Sequence, residues 1–166
     1  MANLIPVKNL YTYERLERID SPKGRTYRRG EEVPVHSVTT ILDKMKDKAT
    51  LDAWVQRVGQ AEADRIKTEA AHVGTAMHFT IEKFLEGSSL PTAEDWLQLR
   101  GYEMGYRLIN KYFGSIDEVW GFEVPLYYPE KYAGTTDLVG VFRGRPAIVD
   151  FKQSLKPKKY EWITDY

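Results

Sequence analysis

Two apolar, β-rich runs at residues 136–142 and 146–152 stand either side of Arg143-Gly144-Arg145, and they constrain this chain more than any other stretch. Val, Ile, Leu and Phe dominate both runs and the triplet between them has turn chemistry, which is the pattern of a β-hairpin. A turn centred between Arg143 and Gly144 sets Asp137 directly opposite Asp150. Successive side chains of a strand point to opposite faces, so Lys152 shares the face of Asp150. Ile148, Val149 and Phe151 make the second run apolar on both sides, which predicts an interior strand holding Asp150 and Lys152 as buried charges.

Carboxylates directly across a strand pair have Cβ atoms ~5 Å apart and repel unless something neutralises them. A divalent cation would do so, because Mg²⁺ and Mn²⁺ favour oxygen ligands and take one or two carboxylates together with phosphate and water. A lysine beside such a site is suited to orienting water or offsetting charge on a phosphate. The competing reading makes Asp137 a strand-end residue and Asp150 and Lys152 a surface ion pair, D-x-K being a common tripeptide.

At 166 residues and 42% hydrophobic, the chain is expected to form a single domain over 1–166. Lys plus Arg equals Asp plus Glu at 24 each, so overall charge offers nucleic acid no attraction and any contact with it must come from local patches. The absence of cysteine excludes disulfides and thiolate metal sites. No apolar run approaches the ~20 residues that span a bilayer. The first residues have neither a signal-peptide apolar region nor the acid-poor, Arg/Ser-rich character of a transit peptide, so no membrane partner and a cytoplasmic location are expected. There is no G-x-x-x-x-G-K phosphate loop and no nucleophilic Ser or Cys constellation.

Ahead of the hairpin, residues 10–19 alternate apolar and polar, and Asp20-Ser21-Pro22-Lys23-Gly24 supplies a turn before residues 25–29, predicting an N-terminal β-hairpin. Lys23, Arg25, Arg28 and Arg29 surround Tyr27 there, a pattern that suits either a phosphate backbone with a stacked base or a charged edge strand. Ser37 is placed to cap a short helix that follows Val35-His36. Residues 50–86 read as helix with breaks near Gly59 and between His72 and Gly74, the first piece burying Leu51, Trp54, Val55 and Val58. Gly74, Met77, His78, Ile81, Phe84 and Leu85 form one stripe, which puts His78 on the buried side as either a satisfied core histidine or a ligand. Thr92 is expected to cap a helix running to about Phe113 whose Trp96, Tyr102, Tyr106, Tyr112 and Phe113 fit core packing. Core strands are expected at 118–128, 132–142 and 146–153. Glu123, in the first of them, either supports the carboxylate pair, holds a second metal, or lies at an exposed edge. Past the last strand, Ser154 and Lys156 lie in a basic loop that reads as a phosphate contact or a solvated linker.

The order G-T-x-D (Gly134, Thr135, Asp137) followed by I-V-D-F-K-Q-S (Ile148 to Ser154) resembles the core of the PD-(D/E)XK nuclease superfamily, in its RecB-type exonuclease branch. Within that branch the chain is similar to the mitochondrial genome maintenance exonucleases and to bacteriophage exonucleases. His36 to Leu42, Gly74 to His78 and Glu123 to Leu126 agree with it, and the likeness runs from about Thr26 to the last residue. The resemblance implies an α/β fold with a central mixed sheet flanked by helices, a restriction-endonuclease-like core preceded by the hairpin and helical segment. It implies Mg²⁺- or Mn²⁺-dependent exonuclease cleavage of DNA, single-stranded or at ends, in phage-type replication or recombination, in the host cytoplasm if phage-encoded. His78, Asp137, Asp150 and the Phe151 carbonyl would hold the metal, Lys152 would be the catalytic lysine, and Ser37, Thr39, Ser154 and Lys156 would contact substrate. Self-association or a recombination partner protein fits the same family. Relatives continue into a helix bearing Gln and Tyr that this chain, ending at Tyr166, is expected to lack. That departure leaves a second expectation, an inactive nucleic-acid-binding or assembly module with a nuclease-like core.

Overall fold

The computed structural model describes residues 5–154. Its elements run β1 (Glu17–Ser21), β2 (Gly24–Arg28), β3 (Val35–Ser37), α1 (Val38–Met45), α2 (Ala49–Val58), α3 (Gln60–Glu86), α4 (Trp96–Tyr112), a 3₁₀ turn (Phe113–Ser115), β4 (Ile116–Tyr128), β5 (Tyr132–Phe142) and β6 (Arg145–Val149). The chain is α/β, with a curled mixed sheet flanked by helices and an N-terminal hairpin leading into the helical segment.

The sheet order is β1-β2-β3-β5-β4, and among the strand pairs of the described residues only β3–β5 is parallel. Strand β5 is its centre. One edge of β5 pairs with β4 along the whole strand, while the other is shared between β3, at Tyr132 and Ala133, and β6, at residues 138–142. Residues 134–137 therefore lie in a gap where β5 has no strand neighbour on that edge among the described residues. The gap opens because β3 turns into α1 at Ser37 and β6 ends at Val149.

The β5–β6 hairpin forms in the expected register, Leu138 against Val149 through Phe142 against Arg145. Arg143 (φ 49°) and Gly144 (φ 73°) take the two left-handed positions of a tight hairpin turn. The expectation of an interior strand is corrected. Among the described residues β6 pairs with β5 alone, and it stops at Val149, so Ile148 is 66% exposed, and Asp150 and Lys152 are exposed beyond the strand end. Val149 and Phe151, by contrast, pack on the core.

The core joins Met77 and Ile81 of α3, Ile109 of α4, Phe113, Ile116 and Val119, Leu138 and Phe151. Helix α3 presses on α4 at two glycines. A Cβ on Gly101 would meet the Ala76 side chain and the Val73 carbonyl, and one on Gly105 would meet Thr80. Gly87, at φ 69°, ends α3 by donating to Phe84 while Ser88 donates to Lys83, a left-handed cap that only glycine adopts without strain.

Several helical expectations need correction. Helix α3 is unbroken from Gln60 to Glu86, because the Ala-rich run around Gly74 keeps its backbone hydrogen bonds against α4. Helix α2 buries none of its residues fully, and Leu51 is exposed. Helix α4 is capped by Asp95, which accepts from the Gln98 amide at 2.8 Å, while Gln98 Oε1 accepts from the Glu94 amide. That reciprocal pair displaces Thr92 as the start. Of the aromatics expected in this helix, Tyr102 and Phe113 are buried, but Trp96, Tyr106 and Tyr112 are exposed.

Candidate metal centre

Asp137 lies midway along β5, and both neighbouring registers run through it. The pairs Phe122–Leu138 and Val124–Thr136 put Glu123 of β4 across from Asp137, and the β6 register carried one step past Leu138–Val149 puts Asp150 there from the other side. Glu123 holds a left-handed backbone (φ 48°), a conformation costing a non-glycine residue roughly 1–3 kcal/mol. His78 reaches the same point from α3, beside Met77, which anchors the helix in the core.

One ligand atom from each of His78, Glu123 and Asp137 lies within 4.8 Å of the others. His78 Nδ1 and Asp137 Oδ1 are 3.6 Å apart, too long for a hydrogen bond. Ligands on an octahedral cation with bonds near 2.1 Å are ~3 Å apart when adjacent and ~4 Å when opposite, so the spacing suits an ion between them. One imidazole nitrogen with carboxylate oxygens is a donor set that Mn²⁺ accepts readily and Mg²⁺ accepts through its oxygens.

Electrostatics within the group favour a cation. Burial pushes the Asp137 carboxyl up from its ordinary range and Asp150 adds repulsion, against the Phe151 amide, His78 and Lys152, which pull it down. Glu123 is also raised, first by burial of its carboxylate and then by Asp137, although much of its side chain reaches solvent. Two carboxylates made reluctant to ionise, both by burial and each by a neighbouring aspartate, are relieved when a divalent cation arrives.

Asp150 and Phe151 meet the site in different ways. Asp150 is outside the three-residue group and accepts from Lys152 Nζ at 2.8 Å, both side chains more than half exposed at 51% and 62%. The cause is the strand end: once β6 leaves the ladder, Asp150 has no neighbour holding it toward Asp137. Phe151 meets Asp137 through its amide, which donates to Asp137 Oδ2 at 2.5 Å, while its ring stacks on Phe113 in the core.

The expected substrate contacts divide. Ser37 is buried, and its hydroxyl accepts from the Thr40 amide at 3.0 Å while bonding Thr39 and Thr40 hydroxyls, so it caps α1 while standing in the wall of the same groove as Thr39. Thr39 is exposed and lines a groove of about 1090 Å³ that also takes in Asp150 and Lys152. Ser154 is exposed at the end of the described residues, and Lys156 lies outside them. Tyr27 does not present a ring for stacking: it is 4% exposed and its hydroxyl bonds Thr135. Its flanking arginines are paired, Arg25 with Asp20, Arg28 with Glu17, and Arg29 with Glu14 and Glu32. These contacts fit the charged edge strand better than a phosphate track.

Gln153 was not singled out by sequence. Its side-chain amide donates to the Ala70 carbonyl on α3, and a Cβ on Gly74 would stand 3.4 Å from it. The hydrogen bond ties the segment that bears Asp150 and Lys152 to the helix that bears His78. The D-x-K-Q run was the only signal for it.

A comparison with protein-family models found none that matches the chain, and a comparison with curated proteins found no match.

Proposed function

We propose that the chain is a divalent-cation-dependent deoxyribonuclease with a restriction-endonuclease-like core, hydrolysing phosphodiester bonds of single-stranded DNA or DNA ends in phage-type replication or recombination. The observation that carries this reading is the convergence of His78, Glu123 and Asp137 within 4.8 Å, next to the exposed lysine of the D-x-K pattern.

When bound, Mg²⁺ or Mn²⁺ supplies Lewis acidity, lowering the pKa of water and drawing charge from a phosphoryl oxygen. The chain's own residues would do the rest. Asp137 is held in one orientation by the Phe151 amide, leaving Oδ1 toward His78. Glu123 presents a second carboxylate from across the strand pair, in the place the sequence had given to Asp150. Lys152 Nζ sits in an exposed pair with Asp150, a kind worth at most ~1 kcal/mol, so it can move to a phosphate and offset the charge that develops there. The family resemblance further implies a product bearing a 5′-phosphate.

A second reading, a nucleic-acid-binding or assembly module that no longer cuts, is favoured by one observation: Asp150 lies outside the ligand group and is bound to Lys152. An end-labelled oligonucleotide incubated with Mn²⁺ or with EDTA separates the two. Shortening that needs Mn²⁺ and disappears in Asp137→Asn supports the nuclease. Binding without shortening in either condition supports the module.

A further inference from the structure

We infer that Tyr13 is a positioning residue for the metal centre: with its neighbours in residues 5–13 it locks a one-residue bulge of β4 at Trp120, and that bulge brings Glu123 across from Asp137. This rests on the metal centre of the nuclease reading and adds to it the part of the chain that sets its geometry.

The pairing of β4 with β5 is not uniform. It shifts by one residue between Ile116 and Glu118 and again between Val119 and Gly121, so Asp117 and Trp120 are extra residues on β4. Carried on unshifted from Val119–Gly140, the ladder would set Phe122 opposite Asp137. The shift at Trp120 gives Gly121–Val139 and Phe122–Leu138 instead, and Glu123 takes the place across from Asp137. A bulge of this kind re-aims the side chains that follow it. On the other strand Gly140 makes room, because a Cβ there would collide with the Glu118 carbonyl.

An extra residue takes backbone groups out of the regular ladder, and residues 5–13 engage them along the outer edge of β4. The Val119 amide donates to the Pro6 carbonyl at 3.0 Å, and the Val119 carbonyl accepts from the Lys8 amide at 2.7 Å. The Tyr13 hydroxyl donates to the Trp120 carbonyl at 3.3 Å. Its ring lies against Gly121, where a Cβ would stand 2.7 Å from Tyr13 Cε2, so only a residue without a side chain admits it. Lys8 pairs with Glu118, whose other oxygen accepts from Trp120 Nε1 at 2.9 Å, and the Tyr11 ring meets the Trp120 indole edge-on at 5.7 Å. Each residue from Glu118 to Gly121 is thereby held by the N-terminal segment. Glu123 follows two residues later at φ 48°, a conformation that persists only where the surroundings impose it, and the anchored bulge is what imposes it.

The test is Mn²⁺ affinity, read by isothermal titration calorimetry on the full chain in wild type, Tyr13→Ala, Glu123→Gln and the double variant, with circular dichroism to confirm folding. Tyr13→Ala is expected to weaken Mn²⁺ binding by about tenfold, the scale of removing a group that orients a ligand. In the Glu123→Gln background the same substitution should cost nothing further, because the carboxylate it positions is gone. Tyr13→Phe, which keeps the ring against Gly121, should restore most of the affinity. A residue that merely supports the fold would lower the urea midpoint and leave the Mn²⁺ affinity of the folded chain where it was. Unchanged affinity in Tyr13→Ala, or a loss as large with Gln at 123 as with Glu, would overturn the inference while the metal centre stands. A wild type that binds no Mn²⁺ removes the centre and the inference together. If Tyr13→Ala does not fold, Tyr13→Leu, which keeps apolar bulk without the ring or the hydroxyl, is held to the same outcomes.

Discussion

The backbone amide of Phe151 donates to Oδ2 of Asp137 at 2.5 Å, so the residue that follows Asp150 orients the carboxylate at the middle of the sheet. The Phe151 ring is at the same time packed in the core against Phe113. Sheet, core and candidate centre are joined at this residue. Phe151→Ala should destabilise the fold by about 3–5 kcal/mol in a denaturant titration, through the cavity it leaves. Phe151→Leu, which keeps the amide in place, should retain Mn²⁺ affinity.

Asp137 gives a pH dependence with a defined sign. Its carboxyl is raised in the folded chain, mainly by burial, so the folded state binds its proton more tightly than the unfolded state does. Its contribution is therefore fully favourable below the ordinary carboxylate range and is lost as pH rises through the folded pKa. Metal-free wild type should lose stability relative to Asp137→Asn as pH climbs from about 4 toward neutrality, and Mn²⁺ should reverse that loss. Thermal melts of both proteins across the range, with and without Mn²⁺, check it.

Lys152→Ala should leave Mn²⁺ affinity and stability nearly unchanged, since its pair with Asp150 is exposed and worth at most about 1 kcal/mol. Cleavage should fall by about a hundredfold or more, the scale of losing a positioned charge at a transition state. Equal losses in affinity and in rate would place Lys152 among the groups that build the site.

Much of the fold was readable because it depends on local chemistry. The Arg143-Gly144 turn set the β5–β6 register, and Ser37 announced the cap of α1. Asp150 was misplaced because its burial depended on whether β6 had a neighbour beyond β5, which is a property of the whole sheet. Glu123 stayed undecided for a related reason: its place across from Asp137 follows from the β4–β5 pairing and a left-handed backbone, neither of which its flanks reveal. Gln153 was invisible because its partner, the Ala70 carbonyl, is distant in sequence.

The α3–α4 contact makes a prediction separate from function. Gly105→Ala would drive a Cβ into Thr80 on the facing helix and should cost about 1–3 kcal/mol through overpacking. Gly114→Ala, with nothing within 4 Å of the added carbon, should cost far less. Urea titrations of the two variants make the comparison.

Glu123→Gln should weaken Mn²⁺ binding by at least about tenfold with the fold intact, because it removes one carboxylate from the three-residue group. Asp150→Asn should affect cleavage more than affinity, since Asp150 stands outside that group.

The measurement that bears most directly on the whole account is Mn²⁺ binding and Mn²⁺-dependent DNA shortening, followed in the same preparations of wild type and Asp137→Asn. The account predicts that the wild type binds the ion and shortens DNA, and that the folded variant does neither. Undiminished shortening by Asp137→Asn, or a wild type that takes up no Mn²⁺, would contradict it.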